Sequence, residues 1–205
     1  KYAMEALGVK PENLVIKISQ MVTIKKGSKT VKISKRSGDY ITLQEIVREV
    51  GKDACRYFFL SKSPNTQLTF DINLAKSQNS NNPIYYIQYA HARISALIKN
   101  AETLGININK TDDFKIETQK EISLSKMLLE FPDVIVQISE ELEPHHITKY
   151  TLDLASEFHS YYQSEKIIDE DNLNNTISKL ILCKAIQKTL KKSLEIMMIS
   201  APEKM

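Results

Sequence analysis

Tyr86, Tyr89 and Arg93 recur at three- and four-residue steps within a stretch that also carries Ile84, Ile87, His91, Ile94 and Ile98. On a helix turning 100° per residue, the four isoleucines and His91 fall within an arc of about 80°. That arc is a core stripe. The two tyrosines and the arginine occupy an arc of about 60° on nearly the opposite side. Two phenol rings and a guanidinium on an outward face can stack unpaired bases and bind phosphate, each stacked base contributing about 1–3 kcal/mol. Periodicity alone leaves a second reading open, in which the tyrosines pack on another helix and Arg93 pairs with a carboxylate. A second cluster, Lys32, Lys35 and Arg36, alternates with Ser34 and Ser37 and closes at Gly38, so it can donate to phosphate oxygens. It lacks the glycine spacing of a Walker loop and, as a bare basic loop, reads more readily as a solvated hairpin edge.

The remaining chemistry-bearing residues are sparse. His145 and His146 are adjacent, which on a helix separates them by about 100° and disfavours a shared metal. No CxxC or HExxH spacing occurs, so no metal site is assigned. Cys55 and Cys183 have no redox motif and read as small buried residues, in keeping with a reducing, cytoplasmic setting.

Most of the elements that must position these residues are helical. The β-rich residues 14–24, a turn at 25–29 and residues 30–34 predict a strand pair. Thr42 and Glu45 fit a capping box opening a helix that Gly51 ends, and residues 52–60 form another. Residues 67–71 are extended. Asn82 as N-cap, with Pro83 at the first helical position, opens a long helix ending near Gly105. Further helices are predicted at 117–130, 132–142, 145–165 and 173–198, the last opened by Asn172. The polar run 77–82 is taken as the domain boundary.

Composition narrows the function. The 205 residues are 42% hydrophobic and 26% charged, which excludes a disordered chain, and no apolar run approaches the roughly 18 residues of a bilayer span. A membrane partner is not expected. The net charge of +3 is unevenly spread: +7 over residues 1–64, +2 over 65–111, −10 over 112–172 and +4 over 173–205. A uniformly basic nucleic-acid coat is thereby excluded. Two basic regions remain compatible with a polyanion, and the acidic one reads as a solvated helix face. The chain begins at Lys1 in a helix-like pattern with no apolar signal segment, so it is read as part of a longer protein.

Several segments together resemble the class I aminoacyl-tRNA synthetases, and among them the bacterial arginyl-tRNA synthetases. Lys32-Ile33-Ser34-Lys35-Arg36 is similar to their KMSKS loop, with Ile33 for Met and Arg36 for the last Ser. Asp53-Ala54-Cys55-Arg56 resembles the DALR element, with Cys55 for Leu. NPIYYIQYAHAR at 82–93, FHSYY at 158–162 and the ending APEKM resemble the anticodon-binding part of the same enzymes. The resemblance implies a mainly α fold: a helical anticodon-binding bundle at 80–205 preceded by the α/β end of a catalytic domain at 1–79. It implies a parent enzyme that joins arginine to its tRNA through arginyl-adenylate, with ATP and Mg2+, and acts as a cytoplasmic monomer. Lys35 would be the catalytic lysine, with Lys32 and Ser34 supporting it. Tyr86, Tyr89, Arg93, Tyr162 and Met205 would contact the anticodon. No HIGH motif is present, so these 205 residues alone are expected neither to bind a cofactor nor to activate arginine. A non-catalytic tRNA-binding module and a related synthetase, such as the cysteinyl one, are the alternatives.

Overall fold

The structure, a computed structural model, describes residues 1–27, 29–30, 41–108 and 114–205. Lys32, Ser34 and Lys35, and the expected strand beyond Thr30, lie outside the described residues. Among those described, eight α-helices and three short strands follow in order: α1 Tyr2–Ala6, β1 Val22–Lys26, β2 Lys29–Thr30, α2 Leu43–Val50, α3 Lys52–Leu60, β3 Leu68–Asp71, α4 Ile72–Lys76, α5 Pro83–Thr103, α6 Gln119–Glu141, α7 His145–Ser164 and α8 Leu173–Ile196. The fold is mainly α, as expected.

The N-terminal part is built on a small sheet of order β2-β1-β3, with β1 antiparallel to β2 and parallel to β3. The parallel partner was not foreseen, and it explains a misjudged boundary. Pairing starts at Val22 opposite Leu68 because β3 begins there, so residues 14–21 have no strand to lie against. Val15, Ile16, Ile18 and Met21 consequently stand exposed rather than alternating into a core. The capping box of α2 forms as expected, with Thr42 Oγ1 accepting from the Glu45 amide and Glu45 Oε2 from the Thr42 amide. Gly51, at φ +85°, then turns the chain directly into α3.

Helices α5 to α8 form a bundle in which α5 and α6 each pack on α7 and α8, and α7 packs on α8. The predicted stripe of α5 is buried: Ile84, Ile87, His91, Ile94 and Ile98 all face inward. Beside them lie Leu124, Leu154, Phe158, Leu180, Ile186 and Leu190. α5 stops where Gly105 takes φ +74° and the Ile106 amide donates to the Ala101 carbonyl. Asn82 stands at the N-cap, but its side chain does not cap. Its Nδ2 donates back to the Ala75 and Ser77 carbonyls, tying α4 to the start of α5.

The two helices predicted at 117–130 and 132–142 are one. α6 runs through Pro132, whose ring faces solvent. A carbonyl deprived of its helical partner there can be hydrated instead. Among the described residues, the carboxylates of the acidic segment are at least partly exposed, with one exception. Glu121 is 2% exposed, its Oε2 accepting from the amides of Glu117 and Thr118 and its Oε1 from the Tyr161 hydroxyl at 2.9 Å. It therefore caps α6 and anchors α7 at once. Burial among these groups, together with negative charge nearby, pushes the Tyr161 phenol far up, so it stays a donor.

Removing that carboxylate leaves a buried hydroxyl and a helix end without partners. Glu121→Ala is expected to cost about 2–4 kcal/mol in urea unfolding. A loss below about 0.5 kcal/mol would show that the cap does not hold α6 to α7.

Candidate nucleic-acid interface

The outward face of α5 meets the last turns of α7. Arg93, on α5, lies between two phenol rings, its guanidinium carbon 4.5 Å from the Tyr89 centroid and 4.6 Å from that of Tyr162. One guanidinium nitrogen donates to the Tyr89 hydroxyl at 2.8 Å, and the other lies 3.2 Å from His159 Nδ1. Among the described residues no carboxylate pairs with Arg93, so that part of the alternative reading fails. The tyrosines are not sealed either. Tyr89 is 36% exposed, and Tyr86 and Tyr162 are half-buried.

His159 was not singled out from the sequence, yet it organises the face. It is 3% exposed, with Nε2 3.2 Å from the Tyr86 carbonyl. A carbonyl only accepts, so Nε2 carries the proton and Nδ1 receives the bond from Arg93. The ring is therefore neutral. Its position agrees: burial lowers the imidazole pKa, the Tyr86 carbonyl pulls it partly back, and Arg93 lowers it further. The imidazole packs on Tyr86 at 4.3 Å and on Tyr89 at 5.8 Å, while Tyr85, also unforeseen, stacks on Tyr89 at 6.2 Å with rings 11° apart.

Two cavities flank this stack. One, of about 220 Å³, opens between Tyr85, Tyr86, Tyr89 and His159. The other, of about 530 Å³, is lined by Tyr89, Arg93, Leu97, Tyr162 and the end of the chain, including Met205. The structure thus brings all five expected contact residues to one surface. Met205, 52% exposed, reaches it because the tail is held at several points. Arg56 Nε donates to the Met197 carbonyl at 2.9 Å, and Asp53 Oδ2 accepts from the Ser200 amide, the Ser200 hydroxyl and Gln88 Nε2. His91 Nδ1 then bonds the Pro202 carbonyl at 2.9 Å. The DALR-like Asp53 and Arg56 are clamps on a tail more than a hundred residues away.

Other sequence candidates fall elsewhere. Cys55 and Cys183 are buried, and burial pushes the Cys183 thiol up to about 12. His145 and His146 do not diverge as their spacing suggested. At the start of α7 their rings lie 4.1 Å apart, and one donor atom from each falls within 4.8 Å of Glu143. The Lys17 ammonium, 3.7 Å from Glu143, and the N-terminal end of α7 add positive charge there, so the group reads as an ion-pair cluster joining residue 17 to the α6–α7 turn. Among the described residues no helix is long and apolar enough to cross a membrane.

The family model for the DALR anticodon binding domain matches residues 87–205, the stretch that carries most of this face. The chain belongs to that family. Relatives extend the likeness beyond the DALR domain. An arginine–tRNA ligase of Geobacillus kaustophilus is 45% identical over all of this chain, and one of Listeria monocytogenes is 44% identical over 99% of it. The chain spans 37% of the length of each. A solved structure from Campylobacter jejuni, assigned as an arginyl-tRNA synthetase, superposes with a TM-score of 0.82 at 34% identity, covering 99% of this chain and 44% of its own. Thermus thermophilus arginyl-tRNA synthetase superposes at 0.61 with 26% identity, over 83% of this chain and 29% of its own.

Because His159 binds a proton less readily when folded, its contribution to stability is fully present above the unfolded value near pH 6.5 and is lost as pH falls below it. Acidification from pH 7.5 to 5.5 should destabilise the protein more than its His159→Asn variant, by at most about 1.4 kcal/mol per pH unit. Parallel slopes in thermal unfolding would show that His159 is not held neutral.

Proposed function

We propose that this chain is the C-terminal part of an arginine–tRNA ligase, in which residues 80–205 bind the anticodon of an arginine-accepting tRNA. The observation that carries the reading is the open Tyr89–Arg93–Tyr162 stack, immobilised by His159 and flanked by two cavities within a DALR anticodon-binding domain. A rigid stack loses little entropy when a base joins it, and a permanent cation inside it favours an electron-rich base or a phosphate. The faces of Tyr89 and Tyr162 that meet Arg93 are occupied. Bases therefore enter on the outer sides, at Tyr85 and Tyr86 in one cavity and at Met205 in the other.

Residues 1–79 would be the end of the catalytic domain. Relatives are far longer than this chain, and the exposed row Val15, Ile16, Ile18 and Met21 is what a segment packed on a further part of the protein would present. Lys32, Ser34 and Lys35, which match the KMSKS loop, would hold the ATP phosphates while the arginine carboxylate attacks the α-phosphate, with ATP taken as its Mg2+ complex. The enzyme would work as a monomer in the cytoplasm.

Binding of an arginine-anticodon stem-loop, followed by fluorescence anisotropy, tests the anticodon role. Tyr86→Ala and Tyr89→Ala should each weaken it about 5- to 100-fold, the equivalent of one lost stack. Unchanged affinity in variants with intact circular dichroism would refute it. For the catalytic part, Lys35→Ala in the intact enzyme should slow arginine-dependent ATP–pyrophosphate exchange by about 10²–10³-fold. A wild-type rate in that variant would remove Lys35 from the chemistry.

A further inference from the structure

A groove of about 580 Å³ runs between α5 and α8, next to the aromatic face but containing none of its rings. Lys184, Lys188 and Lys191 line one wall. At 100° per residue they share an arc of about 60°, and they climb about 10 Å of helix axis. Lys99 on α5 and Lys204 on the tail add further positive charge, against the carboxylates of Glu102 and Glu203. The floor is fixed, because Gln187 Nε2 donates to Ser95 Oγ at 2.7 Å and Gln187 Oε1 accepts from Lys184 at 3.3 Å.

Several other lysines of the protein are paired. Lys26, Lys76, Lys149, Lys166, Lys179 and Lys192 each have a carboxylate oxygen within 4 Å. Among the described residues, none of Lys99, Lys184, Lys188, Lys191 and Lys204 does, although two glutamates line the same groove. A concave surface that keeps its positive charge uncompensated concentrates an anion more effectively than paired lysines do. The groove is also continuous with the aromatic site, since Ala96, Glu203 and Lys204 line both cavities.

From these observations we infer that the α5–α8 groove is a binding track for a ribose–phosphate backbone, engaging phosphates of the strand that leads away from the bases on the aromatic face. Resting on the anticodon reading for its location, it adds the second half of the contact: bases on one side of the tail, backbone on the other. The three lysines of α8 span the length of about three phosphates of one strand, at roughly 3.4 Å of rise each. Ammonium groups on flexible stems suit this task, because they neutralise charge without reading sequence.

The test is salt-dependent binding of two hairpins to the intact protein, one with an arginine anticodon and one with a scrambled loop. Each neutralised phosphate contributes about 0.7–0.9 to the slope of log affinity against log salt. Lys184→Gln/Lys188→Gln/Lys191→Gln should lower that slope by about 2.1–2.7, so that raising salt from 50 to 200 mM costs the wild type about 20- to 40-fold more affinity than the variant. The preference for the arginine loop should survive. A control of equal charge, Lys10→Gln/Lys126→Gln/Lys149→Gln, places no change in the groove lining and should leave the slope in place. An unchanged slope in the groove variant, or an equal fall in the control, overturns the track while the loop preference still speaks for the aromatic site. Loss of loop preference in the wild type, with the slope still falling in the groove variant, instead overturns the anticodon reading and leaves the track.

Discussion

Arg93 is flat, permanently charged and weakly hydrated over its faces, and it lies between the rings of Tyr89 and Tyr162. Two acceptors hold the edge of that sandwich, the Tyr89 hydroxyl and the bare nitrogen of a neutral His159. The neutral state in turn follows from burial and from the bond that the other ring nitrogen makes to the Tyr86 carbonyl. One proton position thus couples α7 to α5 and keeps a cation facing two cavities. A protonated imidazole there would repel the guanidinium and release both tyrosines.

The second constraint is the tail. Met198 takes φ +56°, and the Ile199 amide donates back to Leu194, so the chain reverses at the end of α8. Asp53, Arg56, Gln88 and His91 then hold residues 197–202 against α3 and α5. The tail carries Lys204 and Met205 to the larger cavity beside the stack. The N-terminal part therefore shapes the aromatic face without lining either cavity beside it, by fixing the course of the tail.

Much of this was legible in the sequence because it depends on local periodicity. The spacing of Ile84, Ile87, Ile94 and Ile98 against Tyr86, Tyr89 and Arg93 separated core from surface correctly, and Thr42, Gly51, Asn172 and Gly105 marked helix ends that form. What escaped depends on contacts between distant elements. Nothing near His159 says that Arg93 will meet it, and the motif around Asp53 does not show that its partner is Ser200. Residues 14–21 have strand propensity but no partner strand, so propensity misled. Pro132 was read as a break, although a proline on the solvent side of a helix leaves its freed carbonyl hydrated and the packing face intact. Lys184, Lys188 and Lys191 were counted only as part of a basic segment. Their meaning required the groove.

Met205 offers the most direct view of whether RNA bases settle on this face, because it lines the larger cavity beside the stack and is half exposed. Methyl NMR of methionine-labelled protein, titrated with an arginine-anticodon hairpin, should show the Met205 signal moving upfield under the ring current of a stacked base. An unmoved Met205 signal at saturating hairpin, with other methionines shifting instead, would place the RNA elsewhere and contradict the account.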